Sequence, residues 1–292
     1  MPFRKVEKLA NIGGTIAPSA VLTSELPKAG TYMGLLLSCL DGGVDETVAQ
    51  IIVEMTNIRV SVNGVDIVDA SSATLFSLYS YYHGGRNASE LAGLLPIRFA
   101  RDHLPNAQAE VFGLGMRGVN SFTLEVTMGG TVDDVDQIQI RSEKRDIDQP
   151  VGQHVRLEKF PRSFASTGVQ EVTDIPIEAN AGTLAFHIEF DGSGSTATTL
   201  TEVIVIANGT EVLKLPETTA QYLAEKAGRE WQLDTTANAL FSVDFSLFDD
   251  LSGFLSHDGL TDLRLQLKWG GAAPDTFTVI REGVFGLGQA NG

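Results

Sequence analysis

The sequence has a single cysteine and no long apolar run, and both absences limit what the protein can be. One cysteine, Cys39, cannot form an intramolecular disulfide, so packing must stabilise the folded chain. The best apolar run, MGLLLSCL at 33–40, is far shorter than the roughly 20 residues of a membrane-spanning helix. We predict that this run is a buried strand in which Cys39 acts as a small hydrophobe. The opening MPFRKVEKLANIGG lacks the apolar stretch of a secretory signal, which predicts synthesis and folding in a cytoplasm.

Positive charge is also scarce. The chain has 21 lysine and arginine residues against 37 aspartate and glutamate residues, a formal net charge of -16. Binding to nucleic acid needs clustered lysine and arginine to neutralise phosphates, so direct binding is not expected. The start of the chain is a local exception, because Arg4, Lys5 and Lys8 surround Glu7. This pattern predicts either a basic arm or a frayed terminus.

Motifs for catalysis are missing as well. The five histidines, at positions 83, 103, 154, 187 and 257, show no metal-ligand spacing. His187 lies in the alternating stretch AFHIEF, which favours an ordinary sheet histidine over a catalytic one. Residues 113–118, GLGMRG, formally match a dinucleotide-binding loop, but the strand-like SFTLEVTM follows where that motif requires a helix. The sequence therefore predicts that the protein is not an enzyme.

What the sequence does contain is a repeat. IRVSVNGVDIVDASSATLFSLYSYYHG at 58–84 returns as VIVIANGTEVLKLPETTAQYLAEKAG at 203–228. In both copies alternating apolar residues lead into Asn-Gly, which predicts a strand entering a type I′ turn with positive φ at both central residues. A second strand and a helix follow, and Gly84 and Gly228 stand where a left-handed residue would end each helix. The apolar faces predicted for these helices are Leu75, Leu78, Tyr79 and Tyr82, matched by Ala220, Leu223, Ala224 and Ala227.

A second pair of segments supports the duplication. RGVNSFTLEVTMGG at 117–130 aligns with DGLTDLRLQLKWGG at 258–271, and QIQI at 137–140 aligns with TFTV at 276–279. The order of segments is the same in both halves. A charged linker at 142–152 ends in Pro150 and Gly152 and separates the halves. The sequence thus predicts two domains, residues 1–145 and 146–292, each near the commonest domain size.

The strand pattern predicts the fold class. Each half contains about eight predicted strands with a helix after the fourth or fifth. In the first half we predict strands at TVAQIIVEM (47–55) and LPIRFA (95–100) and a short helix at NASELAGLL (87–95). About eight strands per half suit a jelly roll. The prediction is an all-β protein of two tandem eight-stranded jelly rolls, a double jelly roll, with short inserted helices.

One acidic loop is a candidate ion site. GGTVDDVD at 129–136 places Asp133, Asp134 and Asp136 in one loop, and carboxylate oxygens are ligands of calcium. The alternative is a solvated acidic turn, because the EF-hand pattern is absent. The sequence predicts no required cofactor and a candidate calcium site at these three aspartates.

The order of these elements resembles a known family. The opening FRKVEKLANIGG, the segment 58–84, the strand LPIRFAR and the final TDLRLQLKW with VIREGVF resemble the major capsid proteins of tailless icosahedral viruses with an internal membrane. The corticovirus-type bacteriophage coat protein is the most similar of these. The resemblance implies a structural coat protein whose pseudo-hexameric homotrimers tile an icosahedral shell around the membrane.

The resemblance also implies partners and location. The partners would be neighbouring capsomers, a vertex (penton) protein, and viral membrane proteins or lipid on the inner side, with no direct nucleic acid. The protein would be assembled in the host cytoplasm and reside in the virion capsid. The alternative is a tandem jelly-roll carbohydrate-binding protein, which would need an export signal and an aromatic-rich groove. A jelly-roll enzyme would need a convergent polar cluster.

Overall fold

A computed structural model describes residues 4–84, 91–101, 111–132, 135–163, 168–190, 200–231, 239–247, 253–270 and 276–287. The chain divides into two compact units, the first ending at Leu157 and the second beginning at Glu158. Both units are built mainly of β-strands. The domain boundary predicted after residue 145 stays a prediction; the strand Val135–Arg145 ends at that residue, before the point at which the two units divide.

The first unit consists of two sheets that share one core. Its strands are β1 (Lys5–Lys8), β2 (Val21–Glu25), β3 (Thr31–Asp41), β4 (Val44–Asp45), β5 (Met55–Val62), β6 (Val65–Ala70), β7 (Leu95–Arg98), β8 (Leu114–Gly115), β9 (Phe122–Met128) and β10 (Val135–Arg145). In one sheet β3 pairs with β10, β4, β7 and β8, and β1 pairs with β10. The other sheet has the order β6-β5-β9-β2. Leu37 of the first sheet and Val60 of the second belong to the same buried apolar cluster, as expected for sheets packed face to face.

The second unit repeats this plan. Its strands are β11 (His154–Ser163, which belongs to this unit from Glu158 onward), β12 (Val169–Val172), β13 (Ala181–Phe190), β14 (Leu200–Ala207), β15 (Thr210–Pro216), β16 (Ala239–Asp244), β17 (Leu255–Ser256), β18 (Leu263–Trp269) and β19 (Thr276–Phe285). One sheet has the order β16-β13-β19-β11, with β17 paired to β13, and the other has the order β12-β18-β14-β15. Phe186 and Val205, from the two sheets, share a buried cluster. The predicted all-β double jelly roll is confirmed.

The duplicated Asn-Gly turns have the same structure in both units. Asn63 and Gly64 have φ values of 50° and 78°, and Asn208 and Gly209 have values of 50° and 75°, as a type I′ turn requires. The Oδ1 atom of Asn63 accepts hydrogen bonds from the backbone N–H groups of 120 and 121, at 2.7 and 3.1 Å. The Oδ1 atom of Asn208 accepts from those of 261 and 262, at 2.8 and 3.3 Å. Each turn is therefore tied to the second repeated segment of its own unit.

The two repeated segments of each half are neighbours in a sheet. In the first unit β5 pairs antiparallel with β9, so that Val60 lies opposite Leu124. In the second unit β14 pairs with β18, so that Val205 lies opposite Leu265. All four of these side chains are buried. The repeat in the sequence thus corresponds to a pair of neighbouring antiparallel strands that occurs once in each unit.

The strand predicted at 47–55 is wrong for most of its length. Helix α1 (Val48–Glu54) occupies it, and β5 begins only at Met55. Thr47 forms a capping box with Gln50: the Thr47 Oγ1 atom accepts from the Gln50 backbone N–H, and the Gln50 side chain accepts from the Thr47 backbone N–H. Val48 and Ile51 face the core at helical spacing. The cap and the burial of this face outweigh the strand preference of the valines and isoleucines.

The two repeated helices occur where predicted. Helix α2 (Ser72–Tyr82) and helix α3 (Glu217–Lys226) are each followed by a residue at the C-cap and then by Gly84 or Gly228, with φ values of 69° and 72°. The predicted apolar faces are confirmed at some positions only. Leu75, Leu78, Ala220 and Ala224 are buried, whereas Tyr79, Tyr82 and Leu223 are half-buried and Ala227 is exposed.

The basic start of the chain is neither an arm nor a frayed end. Residues Lys5–Lys8 form β1, which pairs antiparallel with Arg141–Lys144 of β10. Lys5 forms an ion pair with Asp146, and Lys144 lies 2.7 Å from the Glu7 carboxylate. The ladder and the opposite charges across it hold this segment in the sheet. The opposite charges of Lys5 and Glu7, two residues apart, are the feature of the sequence that could have indicated this strand.

Two further predictions concern the helices. Residues 87–90 of the predicted helix NASELAGLL lie outside the described residues, and its last residue, Leu95, begins β7. Within the described part of the chain, no helix has the length and apolar character that crossing a membrane requires.

Candidate functional site

The predicted calcium loop is described only in part. Asp133 and Asp134 lie outside the described residues, and Asp136 is exposed on β10. The neighbouring Val135 pairs with Asp41 at the end of β3. The described start of the loop, at Thr131 and Val132, lies along a cavity of about 760 Å³. The calcium site itself stays a prediction.

Three of the residues that line this cavity carry carboxylates. The carboxylate-bearing residues Asp41, Glu46 and Glu54 line it, together with Ala49, Gln50, Val53, Thr131 and Val132. The chain brings these residues together through a tight turn. Gly42 and Gly43, with φ values of 54° and 85°, allow β4 to fold back on β3, and α1 starts directly after it.

Two of the residues that line the cavity, Glu46 and Glu54, belong to a cluster of three potential metal ligands. The Sγ atom of Cys39 and carboxylate oxygens of Glu46 and Glu54 lie within 4.8 Å of one another. The backbone N–H of Glu46 donates to the Cys39 carbonyl at 2.9 Å, and the Gly129 N–H donates to the Glu54 carbonyl at 2.6 Å. The exposed fractions are 0% for Cys39, 7% for Glu46 and 3% for Glu54. Burial raises the pKa of the Cys39 thiol, and the two nearby carboxylates raise it further.

Cys39 was predicted to be a buried hydrophobe, and its burial in β3 is confirmed. The sequence did not indicate its two carboxylate neighbours. Glu46 and Glu54 are separated from it along the chain by a turn and a helix, and α1 was predicted to be a strand. A strand at 47–55 would have carried Glu54 away from the cluster.

The second unit holds an arrangement with the composition of a hydrolase triad. The Nδ1 atom of His187 lies 2.8 Å from the Ser242 Oγ atom, and its Nε2 atom lies 3.6 Å from a Glu282 carboxylate oxygen. These residues stand on the adjacent strands β13, β16 and β19, and all three are buried. A nucleophile must reach its substrate, and Ser242 is only 2% exposed. The cluster therefore stabilises the sheet, as predicted for His187.

The glycine-rich segment at 113–118 is not a nucleotide site. Residues Leu114–Gly115 form β8, which pairs with Thr31–Tyr32 of β3. A Cβ atom at Gly115 would lie 2.3 Å from the Pro150 carbonyl oxygen, so the glycine is required by close backbone packing. The strand β9 follows this segment.

Several edge strands expose apolar side chains. Val21 on β2, Val169 on β12 and Val212 on β15 are exposed, as is Tyr222 on α3. In the described sheets β2, β12 and β15 each stand at one end of the strand order. Such positions are where further protein surfaces can pack.

Comparison with protein families identifies the class. Residues 6–144 match the family model described as viral coat protein P2 N-terminal domain, and residues 155–287 match the viral coat protein P2 C-terminal domain. With the two jelly rolls in tandem, these matches define a structural coat protein of a virus and not an enzyme. The chain belongs to the viral coat protein P2 family. No curated protein sequence matches the chain.

Solved structures with the same fold are also viral capsid proteins. The major capsid protein P2 of bacteriophage PM2 is 18% identical and superimposes with a TM-score of 0.78, over 99% of this chain and 100% of that chain. The STIV major capsid protein is 12% identical with a TM-score of 0.69, over 97% of each chain. The PBCV-1 capsid protein is 11% identical with a TM-score of 0.63, over 100% and 98%. These likenesses show a shared double jelly-roll fold.

Proposed function

We propose that this coat protein forms homotrimers that act as pseudo-hexameric capsomers of an icosahedral shell around an internal membrane. Three chains with two jelly rolls each supply six similar units. A closed ring of six similar units approximates sixfold symmetry while the true symmetry is threefold.

The internal duplication carries this proposal. The two units share the same turn geometry, with φ values at Asn63 and Asn208 that are both 50°. In both units the strand before the Asn-Gly turn pairs with a strand that comes later in the chain: β5 pairs with β9, and β14 pairs with β18. Because the two units have the same sheet plan, each chain can offer two similar lateral surfaces to its neighbours. The exposed apolar residues on β2, β12 and β15 are candidates for those contacts.

The charge of the chain supports an internal membrane. A coat that touches packaged nucleic acid directly needs a basic inner surface. This chain carries a formal charge of -16. A membrane between shell and genome would remove the need for basic residues. Viral membrane proteins or lipid would then be the inner partners, with neighbouring capsomers at the sides and a vertex protein at the fivefold positions.

Light scattering of the purified full-length chain tests the trimer. We expect a mass near three times 31.3 kDa. Electron microscopy of the same sample should show particles with a six-lobed outline and threefold symmetry. A stable monomer that binds glycans on an array would instead support the carbohydrate-binding alternative.

A further inference from the structure

The cluster of Cys39, Glu46 and Glu54 in the first unit has the composition of a metal site. We propose that these three side chains bind one divalent transition-metal ion of the zinc class. This site does not depend on how the protein assembles. Among the described residues its members are Cys39, Glu46 and Glu54, and Asp136 is not one of them.

The geometry supports a common centre. The Sγ atom and the two carboxylate oxygens lie within 4.8 Å of one another. Zinc bonds of about 2.3 Å to sulfur and about 2.0–2.2 Å to oxygen would draw these three atoms closer together on binding. Two of the three residues are held by regular elements: Cys39 by the paired strand β3, and Glu54 by the last turn of α1.

The burial of Glu46 points to a bound cation. The residue is 7% exposed, and within the described residues its Oε2 atom has no hydrogen-bond partner. Glu46 also lines the cavity, together with Glu54. A buried carboxylate is stabilised by a counter-charge or by a proton, and here a second buried carboxylate lies within 4.8 Å. One divalent ion between them would compensate both.

The sulfur ligand selects the kind of ion. Calcium and magnesium take oxygen ligands, whereas zinc binds thiolate together with carboxylate. On binding, the Cys39 thiol loses its proton to solvent and the Sγ atom bonds to the metal. The protein then supplies three ligands, and the adjoining cavity leaves a fourth position for water. Asp41 lines the same cavity.

Metal titrations of the full-length, chelator-treated protein test this assignment. Zinc should bind with a stoichiometry of one per chain and raise the melting temperature by about 5 °C or more at saturation. Cobalt, used as a spectroscopic probe, should produce a thiolate-to-metal charge-transfer band in the near ultraviolet. Calcium and magnesium in excess should not displace cobalt from this site, so the band should persist in their presence.

Matched variants locate the effect. Cys39→Ser should remove the cobalt band, and Glu46→Gln should weaken zinc binding at least 10-fold. Glu211→Gln is the control, because it makes the same chemical change at an exposed position of β15. Absence of the cobalt band in the unaltered protein would overturn the proposal. Equal zinc affinity in Glu46→Gln and Glu211→Gln would also overturn it. So would a higher melting temperature in Glu46→Gln than in the unaltered protein, if zinc changes the melting temperature of neither. That result would indicate a proton shared by the two carboxylates.

Discussion

Arg281 shows how the second unit accommodates a charge in its interior. The residue is 0% exposed. Its Nε atom donates to a Glu158 carboxylate oxygen at 2.7 Å, and its terminal nitrogens reach the same carboxylate and the Pro176 carbonyl. A buried guanidinium is tolerated only when it is paired and hydrogen-bonded in this way. The sequence did not indicate that this polar residue of β19 would be enclosed.

His257 lies next to this charge. Its Nδ1 atom accepts from the Glu178 backbone N–H at 3.3 Å, and its Nε2 atom lies 3.0 Å from the Thr183 Oγ1 atom. Burial lowers the pKa of His257 to about 4, and the positive charge of Arg281 contributes to the shift. The imidazole is therefore neutral in the folded protein at neutral pH.

This shift predicts a loss of stability in mild acid. Between pH 6.5, the ordinary pKa of histidine, and about pH 4, the unfolded chain binds a proton at His257 and the folded chain does not. The stabilisation that comes from the neutral, buried His257 is thus complete above pH 6.5 and is lost as the pH falls toward 4. We expect the free energy of unfolding to fall by about 1–3 kcal/mol over this window.

Urea unfolding at pH 7.0, 5.5 and 4.5 measures the effect. His257→Gln should show a smaller decrease than the unaltered protein. Burial also lowers the pKa of His154, but that residue is present in both proteins, so the difference isolates His257. Parallel pH profiles for the two proteins would contradict the assignment.

At the level of elements, α1 shows where local patterns mislead. The valines and isoleucines at 48–53 favoured a strand, yet the segment is a helix with a Thr47–Gln50 capping box. The T-x-x-Q spacing was visible in the sequence and could have indicated a helix start. Burial of one helical face against the core decided the outcome, and that depends on residues distant in the chain.

The Asn-Gly turns allow a prediction for the hairpins. Asn63→Ala removes two hydrogen bonds to the backbone at 120 and 121 and places alanine at a φ of 50°. Both changes are unfavourable, so we expect a loss of about 1–2 kcal/mol in the free energy of unfolding. Asn208→Ala should behave alike in the second unit. Chemical denaturation measures both values.

A conservative variant provides the control for this prediction. Asn63→Asp keeps the side-chain acceptor, and aspartate tolerates the left-handed conformation better than alanine. It should therefore lose less than half as much stability as Asn63→Ala. An equal loss in the two variants would show that the hydrogen bonds contribute little.

At the scale of the whole molecule, the acidic charge becomes important. A trimer would carry 3 × -16 = -48 formal charges. Repulsion on that scale opposes close packing of subunits unless cations lie between them. We therefore predict calcium at subunit contacts, with Asp133, Asp134 and Asp136 as candidate ligands.

A calcium-selective chelator tests this prediction. Removing calcium should lower the melting temperature of the trimer by several degrees or dissociate it, and returning calcium should restore it. A variant with all three aspartates changed to asparagine should not respond to either step. Light scattering combined with thermal unfolding measures both outcomes. An unchanged trimer in chelator would show that calcium is not needed.

Local sequence patterns predicted the plan of this protein: the duplication, the all-β class, the Asn-Gly turns and two of the three α-helices in the described part of the chain. These features follow from local periodicity and turn chemistry, which act within a few residues. Four other features became visible only in the folded chain: α1 is a helix, β1 joins a sheet, Arg281 is enclosed, and Glu46 and Glu54 meet at Cys39. Those outcomes depend on which distant segments pack together, because burial and charge pairing are properties of neighbours in space.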